Sequence, residues 1–138
     1  MAATRKVTKP RVPRTHAGGK WTKARYFAFI RSALRRASTK YPVKWDVLGE
    51  ARRDKPKGKA GRHRIEYQCA ECKQWEEGKN VAVDHIKPAG SLNDYEDLPE
   101  FVATLFCEPD NLQVLCNPCH TIKTNYETAE RKRKRKKK

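Results

Sequence analysis

From Thr22 to about Ala37 the apolar residues Tyr26, Phe27, Ile30 and Leu34 recur at helical spacing, while Arg25, Arg31, Arg35 and Arg36 occupy the rest of the cylinder. This pattern predicts a helix capped by Thr22, with its aromatic side chains used as core rather than for base stacking. Pro42 ends the pattern. Lys44 to Arg53, with Trp45, Val47 and Leu48 apolar, predicts a second and shorter helix. Arg64 to Tyr67 alternates charged and apolar residues as a strand does. Gly78 marks a turn, and Val81 and Val83 share one face of a strand from Asn80 to Ile86 that Pro88 and Gly90 close. Leu98 to Phe106, with Pro99 in its first turn, predicts a helix whose apolar side holds Phe101, Leu105 and Phe106. A last helix is expected from Cys116 to about Arg131.

Composition limits what these elements can bury. At 138 residues, with 35% charged side chains and a mean hydropathy of −0.97, the chain suits one domain with arms and a small core. Small domains of this kind commonly add a metal ion or disulfides. No stretch approaches the roughly 18 apolar residues of a membrane span. Met1 to Pro10 lacks the apolar segment of a secretory signal, so a soluble intracellular protein is expected; an acid-free, Arg-rich start is also the composition of a transit peptide.

Charge divides the chain. Residues 1–45 hold 13 Lys or Arg and no Asp or Glu, and residues 131–138 are all Lys or Arg. Residues 46–130 carry 11 basic against 16 acidic side chains, so the net charge of +16 surrounds an acidic centre. Such a layout suits a polyanion held by flanking segments near a cation site, and also a tail kept merely for solubility. Residues 1–20, with Pro10, Pro13 and Gly18-Gly19, read as a disordered basic arm, and 21–54 as a helical extension. Residues 55–63 form a basic loop with Pro56, Gly58 and Gly61, residues 64–130 carry the chemistry, and 131–138 form a basic tail.

Cys69-x-x-Cys72 and Cys116-x-x-Cys119 are two knuckles separated by 43 residues. Each can present two sulfurs to one side of a tetrahedral zinc. Together they make a closed site without room for water, so that zinc would be structural. Two disulfides are the alternative in an oxidising compartment. Cys107, the fifth cysteine, reads as a small buried hydrophobe.

Between the knuckles, Asp84 and His85 are adjacent at a strand end, so their side chains diverge and one can face a metal while the other faces a water. His120 directly follows the second knuckle at the start of a helix. Phosphodiester hydrolysis needs an activated water, an electrophile on the phosphate oxygens and a stabilised leaving oxygen. A divalent cation supplies the last two, and a neutral histidine supplies the first. An Asp-His dipeptide alone is an ordinary surface pair; the register with Asn111 and both knuckles gives it weight.

The stretch VDHIKPAG followed by NLQVLCNPCHTIKT resembles the HNH endonucleases in their four-cysteine, zinc-binding form, over about residues 64–125. The resemblance implies an α+β fold: a small zinc-stabilised ββα-metal core with an N-terminal helical extension and disordered basic termini. It implies that Asp84 and His120 ligate a catalytic divalent cation, Mg²⁺ or Mn²⁺ with Ni²⁺ a further candidate. His85 would be the general base, and Asn111 would hold the hairpin loop that aims it. DNA would be the partner, contacted by Lys87, Lys123, Arg31, Arg35 and Arg36, with Lys123 equally readable as a solvated face residue. Cleavage would leave 5′-phosphate and 3′-hydroxyl ends, as nicks where one site acts alone.

Two features depart from the family pattern: the extra helix at 98–106, and a glycine pair reduced to Ala89-Gly90. Both bear on the loop that aims His85. The small size and basic tail are similar to small HNH proteins of tailed bacteriophages, which implies the host cytoplasm as location and a phage terminase or portal as partner. The competing readings are a non-catalytic zinc module that binds nucleic acid, and a packaging adaptor.

Overall fold

The computed structural model describes residues 3–6, 8–55 and 64–136. Apart from residue 55, the expected basic loop lies outside these, as do Met1, Ala2 and Val7 of the arm and the last two lysines of the tail.

Helix α1 (Lys23–Ser38) starts where the Thr22 hydroxyl accepts a hydrogen bond from the Arg25 N–H at 3.2 Å. It ends with Arg35 and Arg36 in the last turn, where cations suit the helix dipole. Phe27 on its inner face is buried with Ala89, Leu92, Phe101 and Leu105, and Tyr26, Ile30 and Leu34 border the same cluster. Phe101 and Leu105 belong to α3 (Leu98–Leu105), which has Pro in its first turn. A reciprocal Asp94–Asp97 capping box sets the 3-10 turn leading into it. Lys23 pairs with Asp94, and the Tyr26 and Tyr95 hydroxyls meet at 2.8 Å, so the starts of the two helices are tied together.

Helix α2 (Val43–Ala51) is shorter than its apolar pattern predicts. The backbone becomes extended at Arg52, and Arg52–Lys55 forms β1, antiparallel to β2 (Arg64–Gln68). The third strand of this sheet is β3 (Trp75–Glu77), paired to β2. Neither β1 nor β3 shows in the hydrophobic pattern. β1 reads RRDK and is held by cross-strand contacts instead: Arg53 pairs with Glu66 at 3.1 Å and lies over the Trp75 ring at 4.1 Å.

The second sheet pairs β4 (Val81–His85) antiparallel with β5 (Leu112–Cys116). Helix α2 covers it, with Val47, Cys107, Leu112 and Val114 buried together and Val43, Leu48, Tyr67, Val81 and Val83 around them. Cys107 is thus a core residue. The N-terminal extension is no separate module, since α1 and α2 each complete a cluster whose other half comes from residues beyond 64.

Among the described residues, the tail through Lys136 and the arm around His16–Trp21 are regular where composition suggests disorder. Helix α4 (Asn117–Lys136) carries the basic tail as helix through Lys136 rather than as a disordered segment. Lys and Arg are good helix formers, Glu130 pairs with Arg133 at 2.8 Å, and cations suit a C-terminal end. In the arm, His16 and Trp21 exchange two backbone hydrogen bonds of 3.0 Å around a turn in which Ala17, Gly18 and Gly19 take positive φ. Among the described residues no helix is long and apolar enough to cross a membrane.

Phe101→Ala is expected to lower the unfolding free energy by about 3–5 kcal/mol in urea titration at fixed metal content, because Phe101 joins α1 to α3. Trp45→Ala, on an exposed position of α2, is expected to stay within about 0.5 kcal/mol.

Candidate functional site

The two knuckles come from different sheets. Cys69 follows β2 directly, and Cys72 lies in the turn after it. Cys116 ends β5, and Cys119 sits in the first turn of α4. The turn is closed by Cys69 N–H donating to the Gln74 carbonyl at 2.9 Å and Lys73 N–H donating to the Cys69 carbonyl at 3.0 Å. Lys73 holds a φ of 64° there, a conformation that glycine takes more cheaply. Ala70 N–H donates to the Val114 carbonyl at 2.8 Å and docks this turn on β5.

The four sulfurs lie within 4.8 Å of one another, with Cys72 and Cys116 3.7 Å apart. Tetrahedral Zn–S bonds of about 2.3 Å require sulfurs roughly 3.8 Å apart. The cluster could therefore hold a metal ion such as zinc. All five cysteines are free, and Cys107 stands outside the cluster. Burial raises the Cys69 thiol, but backbone N–H groups of Cys116, Cys72 and Glu71 outweigh it and bring it down to about 6. The Cys119 thiol, hydrogen-bonded to Cys116 and desolvated, is pushed up to about 12. The four thiols thus share protons unequally, and metal binding there would release protons.

On the second sheet, strand alternation sends Asp84 and His85 to opposite faces. Asp84 faces α4: its Oδ1 is 3.6 Å from His120 Nε2, and its Oδ2 is 2.8 Å from Lys123 Nζ. Gln113, the register partner of Asp84 on β5, reaches the same Oδ2 from 3.5 Å. His120 and Lys123 are three residues apart and share a helix face. Lys123 also donates to the His85 carbonyl at 2.8 Å and pairs with Glu127. Burial works against its charge, yet hydrogen bonds to Asp84 and Glu127 hold its pKa above the ordinary lysine value.

His85 turns the other way and places Nε2 2.9 Å from the carbonyl oxygen of Leu105, the last residue of α3. A carbonyl only accepts, so Nε2 carries a hydrogen, and Nδ1 is the nitrogen that holds the lone pair whenever the ring is neutral. Helix α3 therefore supplies the group that orients this ring. Asn111 clamps the chain just beyond: its Oδ1 accepts from Lys87 N–H at 2.9 Å, and its Nδ2 donates to the Lys87 carbonyl at 3.1 Å. Its own carbonyl accepts from Ile86 N–H at 2.8 Å.

The structure thus gathers Asp84, His85, Asn111, His120 and Lys123 around the β4–β5 hairpin and α4. The Lys87 side chain reaches Glu100 at 3.5 Å, with both groups well exposed. Arg31, Arg35 and Arg36 lie on α1, Arg35 over the Phe101 ring at 5.8 Å. Sequence reasoning omits three participants. Glu127 was visible as the i+4 partner of Lys123, and Gln113 follows once the hairpin register is known. The Leu105 carbonyl has no sequence signal. No family model, curated protein or solved structure matches the chain.

Exhaustive chelation, or Cys116→Ser, is expected to abolish cooperative thermal unfolding in calorimetry. Reloading the metal-free protein with zinc is expected to restore it at one ion per chain, with affinity that falls as pH is lowered because thiols must lose protons. An unchanged transition after complete metal removal would show that the clamp contributes no stability.

Proposed function

We propose that this chain is a divalent-metal-dependent DNA endonuclease with an HNH-type ββα-metal site. The observation that carries this reading is the division of labour at the end of β4. Asp84 turns toward His120 on α4, while His85 turns away with Nε2 donating to a carbonyl. Such an arrangement supports a reading with a cation on one side of the strand and a proton acceptor on the other.

A carboxylate oxygen and an imidazole nitrogen on facing elements suit Mg²⁺, Mn²⁺ or Ni²⁺, so Asp84 and His120 would hold the ion. Bound there, a divalent cation supplies charge stabilisation to the phosphate oxygens and to the departing oxygen. His85 Nδ1 takes a proton from a water whose oxygen bonds to phosphorus. The bond from phosphorus to the 3′-oxygen breaks, and that oxygen takes a proton from solvent, leaving 3′-hydroxyl and 5′-phosphate ends. The Leu105 carbonyl keeps the imidazole from rotating, and Asn111 keeps the following loop from carrying it out of line. Zinc on the four cysteines holds β5 and α4 in register. By analogy with small phage HNH proteins, on size and basic tail alone, the setting proposed is DNA processing or packaging, with a terminase or portal as partner.

A second reading, a non-catalytic zinc module that binds nucleic acid, is favoured by one observation. The ion pair of Lys123 with Asp84 at 2.8 Å gives the aspartate a structural task without catalysis.

Supercoiled plasmid with Mg²⁺ or Mn²⁺ separates the two. The wild type is expected to nick it, and His85→Ala to lose about 10²–10⁴-fold in rate while keeping its zinc. Asn111→Ala is expected to lose about 10²-fold through misplacement of His85. A wild type that shifts DNA but cuts it under no metal supports the binding module. Deleting residues 131–138 is expected to flatten the dependence of DNA affinity on salt concentration, since those cations displace counterions from phosphates.

A further inference from the structure

The solvent side of α1 carries a feature that the proposed reaction does not use. Phe29 is 54% exposed, and its ring lies 5.1 Å from that of Trp21 at 53°. The Arg25 guanidinium sits 5.0 Å from the centre of the Trp21 ring. Trp21, Arg25 and Phe29 follow in steps of four residues, which places them along one stripe. Ser32 and Ala33 continue that stripe as small exposed residues, and Arg36 follows, also exposed.

Isolated exposed apolar residues are ordinary, but this pair is held in place. Trp21 is fixed by its two backbone hydrogen bonds to His16 across the left-handed turn, and the His16 ring rests on Tyr26 at 4.7 Å. The Trp21 main chain is therefore set before any partner arrives, and its ring rests between Phe29 and Arg25, which lowers the ordering cost of binding. The segment that carries the patch is cationic, since residues 1–45 hold 13 Lys or Arg and no carboxylate side chain, and the nearby Asp94 is engaged by Lys23. An exposed ring beside small residues, flanked by guanidinium groups, complements a base and its phosphate on one strand.

We propose that Phe29, backed by Trp21 and Arg25, is a stacking platform for an unpaired nucleobase, with Arg36 meeting the phosphates of the same strand. The proposal rests on the nucleic-acid reading above and adds a substrate class to it: a single strand or a frayed end, because a closed duplex hides its base faces. The platform stands at a fixed offset from His85. On its inner face α1 packs Phe27 against Leu105, and the Leu105 carbonyl orients the histidine.

The test is fluorescence anisotropy of the full-length, zinc-loaded protein without added Mg²⁺ or Mn²⁺. Three oligonucleotides of equal length serve as probes: a single strand, a duplex, and a single strand abasic throughout. Phe29→Ala is expected to weaken single-strand binding about tenfold and to leave its salt slope unchanged, since no phosphate contact is lost. Duplex and abasic affinities should not change, and Phe29→Trp should restore the loss. Circular dichroism and zinc content would verify that the variants are folded. Equal single-strand affinity of wild type and Phe29→Ala overturns the platform while leaving nucleic-acid binding intact, and points the patch toward a protein surface instead. A loss shared by all three probes also overturns it. Failure of the wild type to bind any probe removes the nucleic-acid reading itself.

Discussion

Sulfur geometry at the two knuckles is the constraint from which the site follows. Four sulfurs confined within 4.8 Å join the end of β2, the end of β5 and the first turn of α4. With a mean hydropathy of −0.97 and three small buried clusters, the chain has little apolar material to hold these ends by packing alone. Cys119 is one residue from His120, so whatever fixes the sulfur fixes the imidazole. Cys116 ends the strand whose register sets Gln113 opposite Asp84. Relaxing the clamp would therefore let α4 swing and carry His120 and Lys123 away from the carboxylate together.

Much of this was legible in the chain. The helical spacing of Tyr26, Phe27, Ile30 and Leu34 located α1 to within a residue at each end, and the knuckle spacing named the sulfur cluster. The reason is that both signals are local: a 3.6-residue repeat and a short ligand spacing survive without knowledge of the fold. What escaped were contacts made between distant segments. β1 is written in charged residues, and its partners, Glu66 and Trp75, lie beyond residues 56–63. The helical tail was hidden because a run of Lys and Arg has no hydrophobic period, although each residue favours helix. The acceptor for His85 is a main-chain oxygen, to which side-chain identity is blind.

The segment between the Asp-His pair and β5 shows how a helix end can serve a side chain on a neighbouring strand. Leu98–Leu105 ends in carbonyls that have no partner within the helix, and one of them meets His85. Holding that carbonyl still requires α3 to be held, which falls to Phe27 of α1 through Phe101 and Leu105. Helix α1 thus bears on the orientation of His85. The effect passes through packing and one hydrogen bond, with no direct contact.

Helix α4 is one continuous rod from Asn117 to Lys136. At about 1.5 Å of rise per residue, the sixteen steps from His120 to Lys136 span roughly 24 Å. On a duplex with about 3.4 Å between successive phosphates of a strand, that is some seven base pairs. Under the nuclease reading proposed above, its terminal cations would act as a ruler rather than a tether. They would favour scission at a set separation from the phosphates they grip, and make footprint length a property of helix length rather than of sequence recognition.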